Sequence, residues 1–250
     1  MVESFNCWGG STLFVSSKAL VLHKTKYADS GIVVKFFTEK YGTQTFIVKN
    51  AFSNKNRHLL PLLAPLSMVE LQFDDRKLNQ LMYLKELNCY RQYQNIPYDI
   101  IKSSLLMFYS ELLYRLLYEY GEDSQLYSFI ERRMMDMDEV EKVRPDTHID
   151  FMLQMSRILG FAPVTNFDNS HQIFSIPQSS FVHNWVDEEQ NLSPAASKAL
   201  FAMMNDPLPQ PAPKAIRNEL LQGMLRYYKH HNEHIGKIES VSILADILKE

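Results

Sequence analysis

Cations and aromatic rings are concentrated in two short stretches of the first sixty residues. Lys24, Lys26 and Tyr27 stand in HKTKYADS, and Lys49, Phe52, Lys55 and Arg57 in VKNAFSNKNR, with Lys35 between them. Residues of these types at this spacing carry binding chemistry: cations follow a phosphate backbone and rings stack on bases. Tyr27 and Phe52 read as loop residues, so either is placed to stack. Phe36, Phe37 and Phe46 fall within apolar rows and read as core. The competing explanation is an ordinary lysine-rich surface, and charge distribution weighs against it. From Lys18 to Leu60 eight Lys/Arg oppose two acids, Asp29 and Glu39, in a chain of net charge −3. Everything outside that stretch therefore sums to −9. A basic segment attached to an acidic remainder points to a polyanion on the basic part.

No residue set of the catalytic kind accompanies these cations. The chain has only eight glycines and contains neither G-x-x-x-x-G-K-[ST], G-x-G-x-x-G nor G-x-S-x-G, so a nucleotide cradle or a serine-nucleophile elbow is not expected. His230 and His234 are four apart and would share a face of a continuing helix, as metal ligands do. Glu233 sits at the wrong offset for a zinc-protease motif, and histidines near a helix C-terminus also suit its dipole. His171 and His183 have no cysteine neighbours. Asp74/Asp75 and Asp136/Asp138 read as solvated turns and helix faces. The expectation is no catalytic residue, no metal and no cofactor.

The elements that must position the cations are short strands. Ala19–Leu22, Ile32–Phe37, Thr43–Val48, Pro65–Phe73 and Leu81–Leu87 alternate apolar and polar residues or run apolar on both faces. Five strands in about seventy residues, with one long polar loop at Asn50–His58, meet the requirements of a five-stranded barrel of the OB type. An SH3-like barrel gives the same pattern at this level. Here Lys24, Lys26 and Tyr27 fall in the first inter-strand loop, and Lys49 ends the third strand.

After Pro97 the period changes to that of helices. One helix buries Ile101, Leu105, Tyr109, Leu112 and Leu116, with Lys102, Glu111, Arg115 and Glu119 on the other side, and ends before Gly121. A second, Ser124–Val140, carries Leu126, Phe129, Ile130, Met134 and Met137. A third opens at Asp146 or Thr147, with Thr147 and Asp150 at capping-box spacing. It buries Ile149, Met152, Met155 and Leu159, and Gly160 supplies a left-handed end. Residues 162–192 read as an irregular insert with a hairpin at Gln172–Ile176 and Ser180–Trp185. Ser193-Pro194 opens a helix through Met204. Pro207, Pro209, Pro211 and Pro213 form a stiff spacer, a helix runs from Lys214 to about Lys229, and Ser240–Leu248 closes the chain.

Cys7 and Cys89 form no CxxC, which suits a reducing cytosol. No apolar run reaches the ~18 residues of a membrane span. MVESFNCWGGSTLFVSS has no basic start and no long apolar core, and reads as an N-terminal extension rather than a signal peptide. The expected organisation is α+β: an extension over 1–17, an OB-type five-stranded β-barrel over 18–92, and a helical domain over 93–250 with a small irregular insert at 162–192.

The run ALVLHKTKYADSGIVVKFFTEKYGTQTFIVKNAFSNKNR resembles the N-terminal domain of the RecO family of bacterial recombination mediators. Lys24, Tyr27, Asp29 and Ser30 match the family's basic turn, Thr38 and Gly42 its FT-x-x-x-G hairpin, and Lys49, Lys55 and Arg57 its basic loop. Pro65 with Val69-Glu70-Leu71 resembles its fourth strand, and Ile158-Leu159-Gly160-Phe161-Ala162-Pro163 its LLGF-x-P. The similarity spans about residues 18–248. The resemblance implies a non-enzymatic, cytoplasmic, nucleoid-associated protein of DNA recombination and repair. Such a protein binds single- and double-stranded DNA and anneals complementary strands. It recognises the C-terminal tail of single-strand-binding protein through a pocket combining an apolar floor with a cation, and acts with RecR so that RecA can load. The charge and ring pattern, with the resemblance at Lys24, Tyr27, Lys49, Lys55 and Arg57, sets the expected DNA-binding residues as Lys24, Lys26, Tyr27, Lys35, Lys49, Phe52, Lys55 and Arg57. Two departures stand out. The family's loop glycine is Asn50 here and its extra arginines are Phe52 and Ser53. The four zinc cysteines many members carry after LLGF-x-P are absent, so zinc is not transferred, and the insert is expected to fold through Phe174, Phe181 and Trp185. The rival classes are an adaptor or transcription-regulatory protein whose barrel does not anneal DNA, and a hydrolase built on the C-terminal histidines.

Overall fold

The structure is a computed structural model that describes residues 14–27, 30–78, 80–206 and 209–247. The chain divides into two compact units. One comprises residues through Gln92 together with Glu119–Tyr127, and the other Tyr93–Tyr118 with Ser128 onward. Of the sequence expectations, most of the extension, Cys7, Asp29 and Pro207 lie outside the described residues.

In the first unit, β1 (Phe14–Tyr27), β2 (Gly31–Thr38), β3 (Gly42–Val48), β4 (Met68–Asp74), β5 (Leu81–Tyr83) and β6 (Glu86–Arg91) form one sheet in the order β5-β3-β2-β1-β4-β6. Three differences from the sequence expectation follow. β1 begins at Phe14 rather than Lys18, because Phe14–Ser17 already pair with β4. β1 also continues to Tyr27, so Lys24, Lys26 and Tyr27 are strand residues, paired with Val34, Ile32 and Gly31, and not a loop. The expected fifth strand is two: β5 runs parallel to β3 and β6 antiparallel to β4.

That division has a parity reason. Met82 and Leu87 both enter the core, yet they are five apart, and an unbroken strand would point them to opposite faces. Leu84 and Lys85 make the break. The Leu84 N–H donates to the Ile47 carbonyl and the Lys85 N–H to the Gln72 carbonyl, so one segment is held at both edges of the sheet. The ladder is an open six-stranded one whose two edge strands are consecutive in sequence, in an OB-type α+β arrangement.

The core of this unit gathers Ala19, Val21, Ile32, Val34, Phe36, Phe46, Val48, Val69, Leu71 and Phe73. Phe46 meets Phe36 and Phe73 edge-on at centroid distances of 5.7 and 5.0 Å. Phe37 is equally buried but faces Tyr120 and Tyr127 instead. The FT-x-x-x-G motif has a local cause. Thr38 Oγ1 donates to the Gly42 carbonyl (2.8 Å) and accepts from the Tyr41 N–H (3.0 Å). Gly42 adopts φ +63°, and a Cβ there would fall 2.3 Å from the Tyr120 carbonyl oxygen.

The second unit contains α1 (Ile100–Leu116), most of α2 (Ser124–Glu139), α3 (Thr147–Ile158), the hairpin of β7 (Ile173–Ser175) and β8 (Ser180–Val182), α4 (Pro194–Asn205), α5 (Lys214–His231) and α6 (Ser240–Ile247). Its core takes Leu105, Phe108, Tyr109 and Leu112 from α1, Ile130 and Met134 from α2, Ile149, Met152 and Met155 from α3, and Leu220, Met224, Tyr227 and Tyr228 from α5. Gly160 has φ +82°, as its place after α3 predicts. Ser193 caps α4 by accepting from the Ala196 N–H, with Pro194 in the first turn.

Three side chains depart from expectation. Lys102 does not decorate the exposed face of α1. It is 3% exposed, and its ammonium donates to the main-chain oxygens of Asp138 (2.9 Å) and Val140 (2.6 Å), which end α2. The capping box at α3 does not form. Asp150 instead binds Arg133 and accepts from Gln154, and the first residue before the helix, Asp146, is taken by Arg144. In the insert Phe174 and Phe181 pack edge-on with ring centroids 5.4 Å apart, but Trp185 stays out of that core, 49% exposed.

Candidate nucleic-acid interface

The basic stretches are positioned by one irregularity in β1. Val21 pairs with Phe36, but His23, not Leu22, pairs with Lys35, so Leu22 is an inserted residue. A bulge of one residue flips the alternation of everything beyond it. Before it, odd-numbered Ala19 and Val21 face the core. After it, even-numbered Lys24 and Lys26 share a face with core residues Val34 and Ile32. Pairing of β1 with β4 ends at Leu20, so β1 past the bulge has β2 alone as its partner. His23 to Tyr27 are all exposed there. Lys24 and Lys26 thus emerge at the rim on the core-side face of the hairpin.

The opposite, outer face carries His23, Thr25 and Tyr27 from β1 with Lys35 and Val33 from β2. Thr45 and Ile47 from β3 follow, then Leu81 and Tyr83 from β5. Cross-strand pairs share a face, which fixes this set. Lys49, one residue past inward Val48, also turns outward, and its ammonium lies 3.8 Å over the centroid of the Tyr83 ring. Tyr83 is 56% exposed. The Tyr27 ring lies across Gly31, where a Cβ would come within 3.5 Å of its Cδ1. Lys35 is half-buried; burial lowers the pKa of its ammonium and the nearby charge of Glu119 raises it, with burial prevailing.

The loop after β3 is tied to the hairpin end. The Ala51 N–H donates to the Ser30 carbonyl (2.9 Å), and Ser30 Oγ donates to Asn50 Oδ1 (3.1 Å). Asn50 has φ +49°. The left-handed region explains why glycine suits this position, and asparagine is among the few other residues that occupy it readily. Asn56 Nδ2 donates to the Lys49 carbonyl, and the Arg57 N–H to that of Ser53. Ala51 is buried, whereas Phe52, Lys55 and Arg57 project outward.

The sequence-predicted residues therefore fall into two groups. Tyr27, Lys35 and Lys49 share the outer face, and the loop bearing Phe52, Lys55 and Arg57 is pinned beside them. Lys24 and Lys26 stand on the other face. Tyr83 and Leu81 were not singled out by sequence reasoning. A single strand over 81–87 sets Tyr83 in line with Leu87, as a core residue; the break at Leu84–Lys85 is what turns it outward.

The histidines do not assemble. α5 ends at His231, so His230 and His234 do not share a helical face. His234 stacks on Tyr118, and His230 packs against His231. His171 binds Asp168 and His183 the Ser170 carbonyl. Among the described residues no three His, Cys, Asp or Glu come together as a metal set, and no helix is long and apolar enough to cross a membrane.

A family model described as "Recombination protein O N terminal" matches residues 13–93, and one described as "Recombination protein O C terminal" matches residues 97–237. The chain is similar to the DNA repair protein RecO of Phocaeicola vulgatus, 28% identical over 232 residues, covering 91% of this chain and 96% of that one. It is 24% identical to the DNA repair protein RecO of Flavobacterium psychrophilum, covering 93% and 98%. With that of Bacteroides fragilis it is 32% identical over 152 residues, covering 61% and 62%.

Proposed function

The chain belongs to the recombination protein O family, and on that premise we propose that it binds single-stranded DNA, anneals complementary strands, and acts with RecR to help load RecA onto DNA coated with single-strand-binding protein. Its role lies in DNA repair. The observation that carries the finer reading is the hairpin with cations on both faces. On the outer face Tyr27 and Tyr83 offer exposed rings with Lys49 over the second, and exposed Lys55 and Arg57 stand in the loop tied to the hairpin end, the combination that holds an unpaired strand. On the other face Lys24 and Lys26 lie within reach of a second backbone. Two phosphate chains screened on either side of one thin hairpin repel each other less, and their bases can meet at its end. This chemistry needs no bond breaking, so the protein acts as a mediator and not as an enzyme, and as a DNA-binding protein it works in the cytoplasm, at the nucleoid.

In the helical unit a cavity of about 700 Å³ has Met137, Val140, Val143 and Met203 on its walls, with Arg133, Lys142, Arg144 and Arg157 and the carboxylates of Asp136, Asp146, Asp150 and Asp206 around them. Arg133, Arg144 and Arg157 are engaged with Asp150, Asp146 and the Met204 carbonyl. Lys142 is exposed. An apolar floor with a cation at its rim suits the acidic tail of single-strand-binding protein, and Lys142 is the residue we assign to its charge.

Filter retention of a labelled single strand, run beside annealing of complementary strands and release of nucleotides or phosphate with magnesium and ATP, tests the reading. Retention and annealing without release are expected. No retention at low salt would leave the adaptor class. Hydrolysis abolished by His230→Ala or His234→Ala would establish the hydrolase.

A further inference from the structure

A second cavity in the helical unit, of about 710 Å³, lies between the insert and α5. Its floor is one stripe of α5, Asn218, Gln222 and Arg226, spaced four residues apart. That spacing sets three polar groups on one helix face over about 12 Å. Its wall is Trp185 with Glu188 and Glu189.

The wall is rigid before anything binds. Asp187 Oδ1 accepts from the Gln190 N–H, and Asn191 Oδ1 from the Val186 N–H, each at 2.8 Å. The Ile176 N–H donates to the Gln190 carbonyl, and the Leu192 N–H to that of Phe174. The insert approaches α5 at Gly223, where a Cβ would lie 2.2 Å from Leu192 Cδ2. Glu219 holds the start of α4 by accepting from the Ser193 N–H and hydroxyl.

The groups on this framework are unused. Glu188 and Glu189 pair with no cation among the described residues, and the Trp185 ring is half open to solvent. An indole face beside two carboxylates holds an ammonium or guanidinium. The side-chain amides of Asn218 and Gln222, spaced along the floor, suit a peptide main chain. We infer that this groove binds an extended protein segment that places a lysine or arginine side chain against Trp185, Glu188 and Glu189 and runs its main chain along Asn218 and Gln222. The charge of the wall selects this occupant over the acidic tail assigned to the first cavity. The inference does not depend on the DNA reading.

The test uses the full chain and a short fluorescein-labelled peptide of alternating arginine and glycine, with a glutamate–glycine peptide as control. Anisotropy should report binding of the basic peptide alone. Trp185→Ala, and Glu188→Gln with Glu189→Gln, should each weaken it about tenfold. Glu139→Gln with Glu141→Gln, exposed acids outside the groove, should leave it within about twofold. Helix signal and urea midpoint of every variant should match the parent, which certifies folding of the helical unit whatever the outcome of the DNA reading. Equal weakening by the two glutamine pairs would reduce the effect to general acidity and overturn the proposal, as would no loss in Trp185→Ala. A groove filled by a second copy would appear in sedimentation as a dimer that the peptide does not disturb, and that too would overturn it.

Discussion

Lys49 directly follows β3 and Tyr83 ends β5, strands that run parallel at the edge of the sheet, and the ammonium of one sits 3.8 Å over the ring of the other. The pair is exposed, so the cation–π contact contributes about 0.5–1 kcal/mol to the fold at most. Its consequence is orientation: the ring is held flat on the outer face with a positive charge at its side. Tyr83→Ala should therefore weaken single-strand binding by the value of one stacked base, about 1–3 kcal/mol, with little change in thermal stability. Tyr83→Phe should keep most of the binding. Anisotropy with a labelled pyrimidine strand measures both, and an unaffected Tyr83→Ala would remove the ring from the interface.

On the proposed function, the two faces of the hairpin should separate binding from annealing. If about four phosphates are engaged on the outer side, log affinity should fall against log salt with a slope of about −3. Changing Lys49, Lys55 and Arg57 together to Glu should abolish most binding and flatten that slope. Changing Lys24 and Lys26 to Glu should spare much of the single-strand affinity and slow annealing disproportionately, because those side chains address the second strand. All five positions are exposed, so urea midpoints should move little, exposed changes falling within about ±0.5 kcal/mol each. Equal losses of binding and annealing in both variants would refute the two-face arrangement.

Gly42 in the β2–β3 hairpin and Asn50 in the loop after β3 mark where backbone, not side chain, decides. At Gly42 an added Cβ meets the Tyr120 carbonyl oxygen at 2.3 Å and the Gly121 carbonyl carbon at 2.4 Å. Main-chain atoms cannot swing aside as a side-chain end can, and φ is +63°. Gly42→Ala should destabilise by about 2–5 kcal/mol, the sum of left-handed strain and overpacking. Asn50→Gly should be near neutral, whereas Asn50→Val should cost about 1–2 kcal/mol. Chemical denaturation of the three variants checks the order, and a Gly42→Ala midpoint equal to the parent's would contradict the geometry.

What was legible in the sequence was governed by local period. The helices of the second unit follow from their apolar spacing, and Gly160 and Ser193-Pro194 mark helix ends by their own backbone and capping preferences. Strand alternation located β2, β3 and β4, and the charge imbalance located the basic hairpin and loop. What was not legible depends on partners distant in sequence. The bulge at Leu22 is set by pairing with β2, so the faces of Lys24 and Lys26 could not be read from β1 alone. Tyr83 turns outward only because Met82 and Leu87 must both reach one core. Lys102 looked solvated, since nothing in its neighbourhood announces the carbonyls of Asp138 and Val140 that it caps. Trp185 looked like core by its type, but Phe174 and Phe181 already fill that place.

Two buried groups of the helical unit set its response to acid. His148 is 3% exposed, packed edge-on to Phe108, with Nδ1 lacking a partner among the described residues. Burial lowers its pKa from 6.5 to about 4, Asp146 opposing and Arg217 assisting. The unfolded chain takes up this proton near pH 6.5 and the folded one only near 4, so between those values the unfolded state binds more protons. Stability from His148 is then complete above 6.5 and is lost as pH falls toward 4, by about 3 kcal/mol. Asp138 acts lower. Burial raises its pKa, but the N–H groups of Gln94, Ile96 and Asn95 and the charge of Lys102 outweigh this and leave it below 3.8. Its contribution is present above that value and lost as pH falls through its folded pKa. His148→Phe, which keeps a ring against Phe108, should flatten the dependence of the urea midpoint between pH 6.5 and 4 and leave the steeper loss below it. Helix signal against urea at a series of pH values reads both. A parent-like slope in His148→Phe would show that another group takes up the proton.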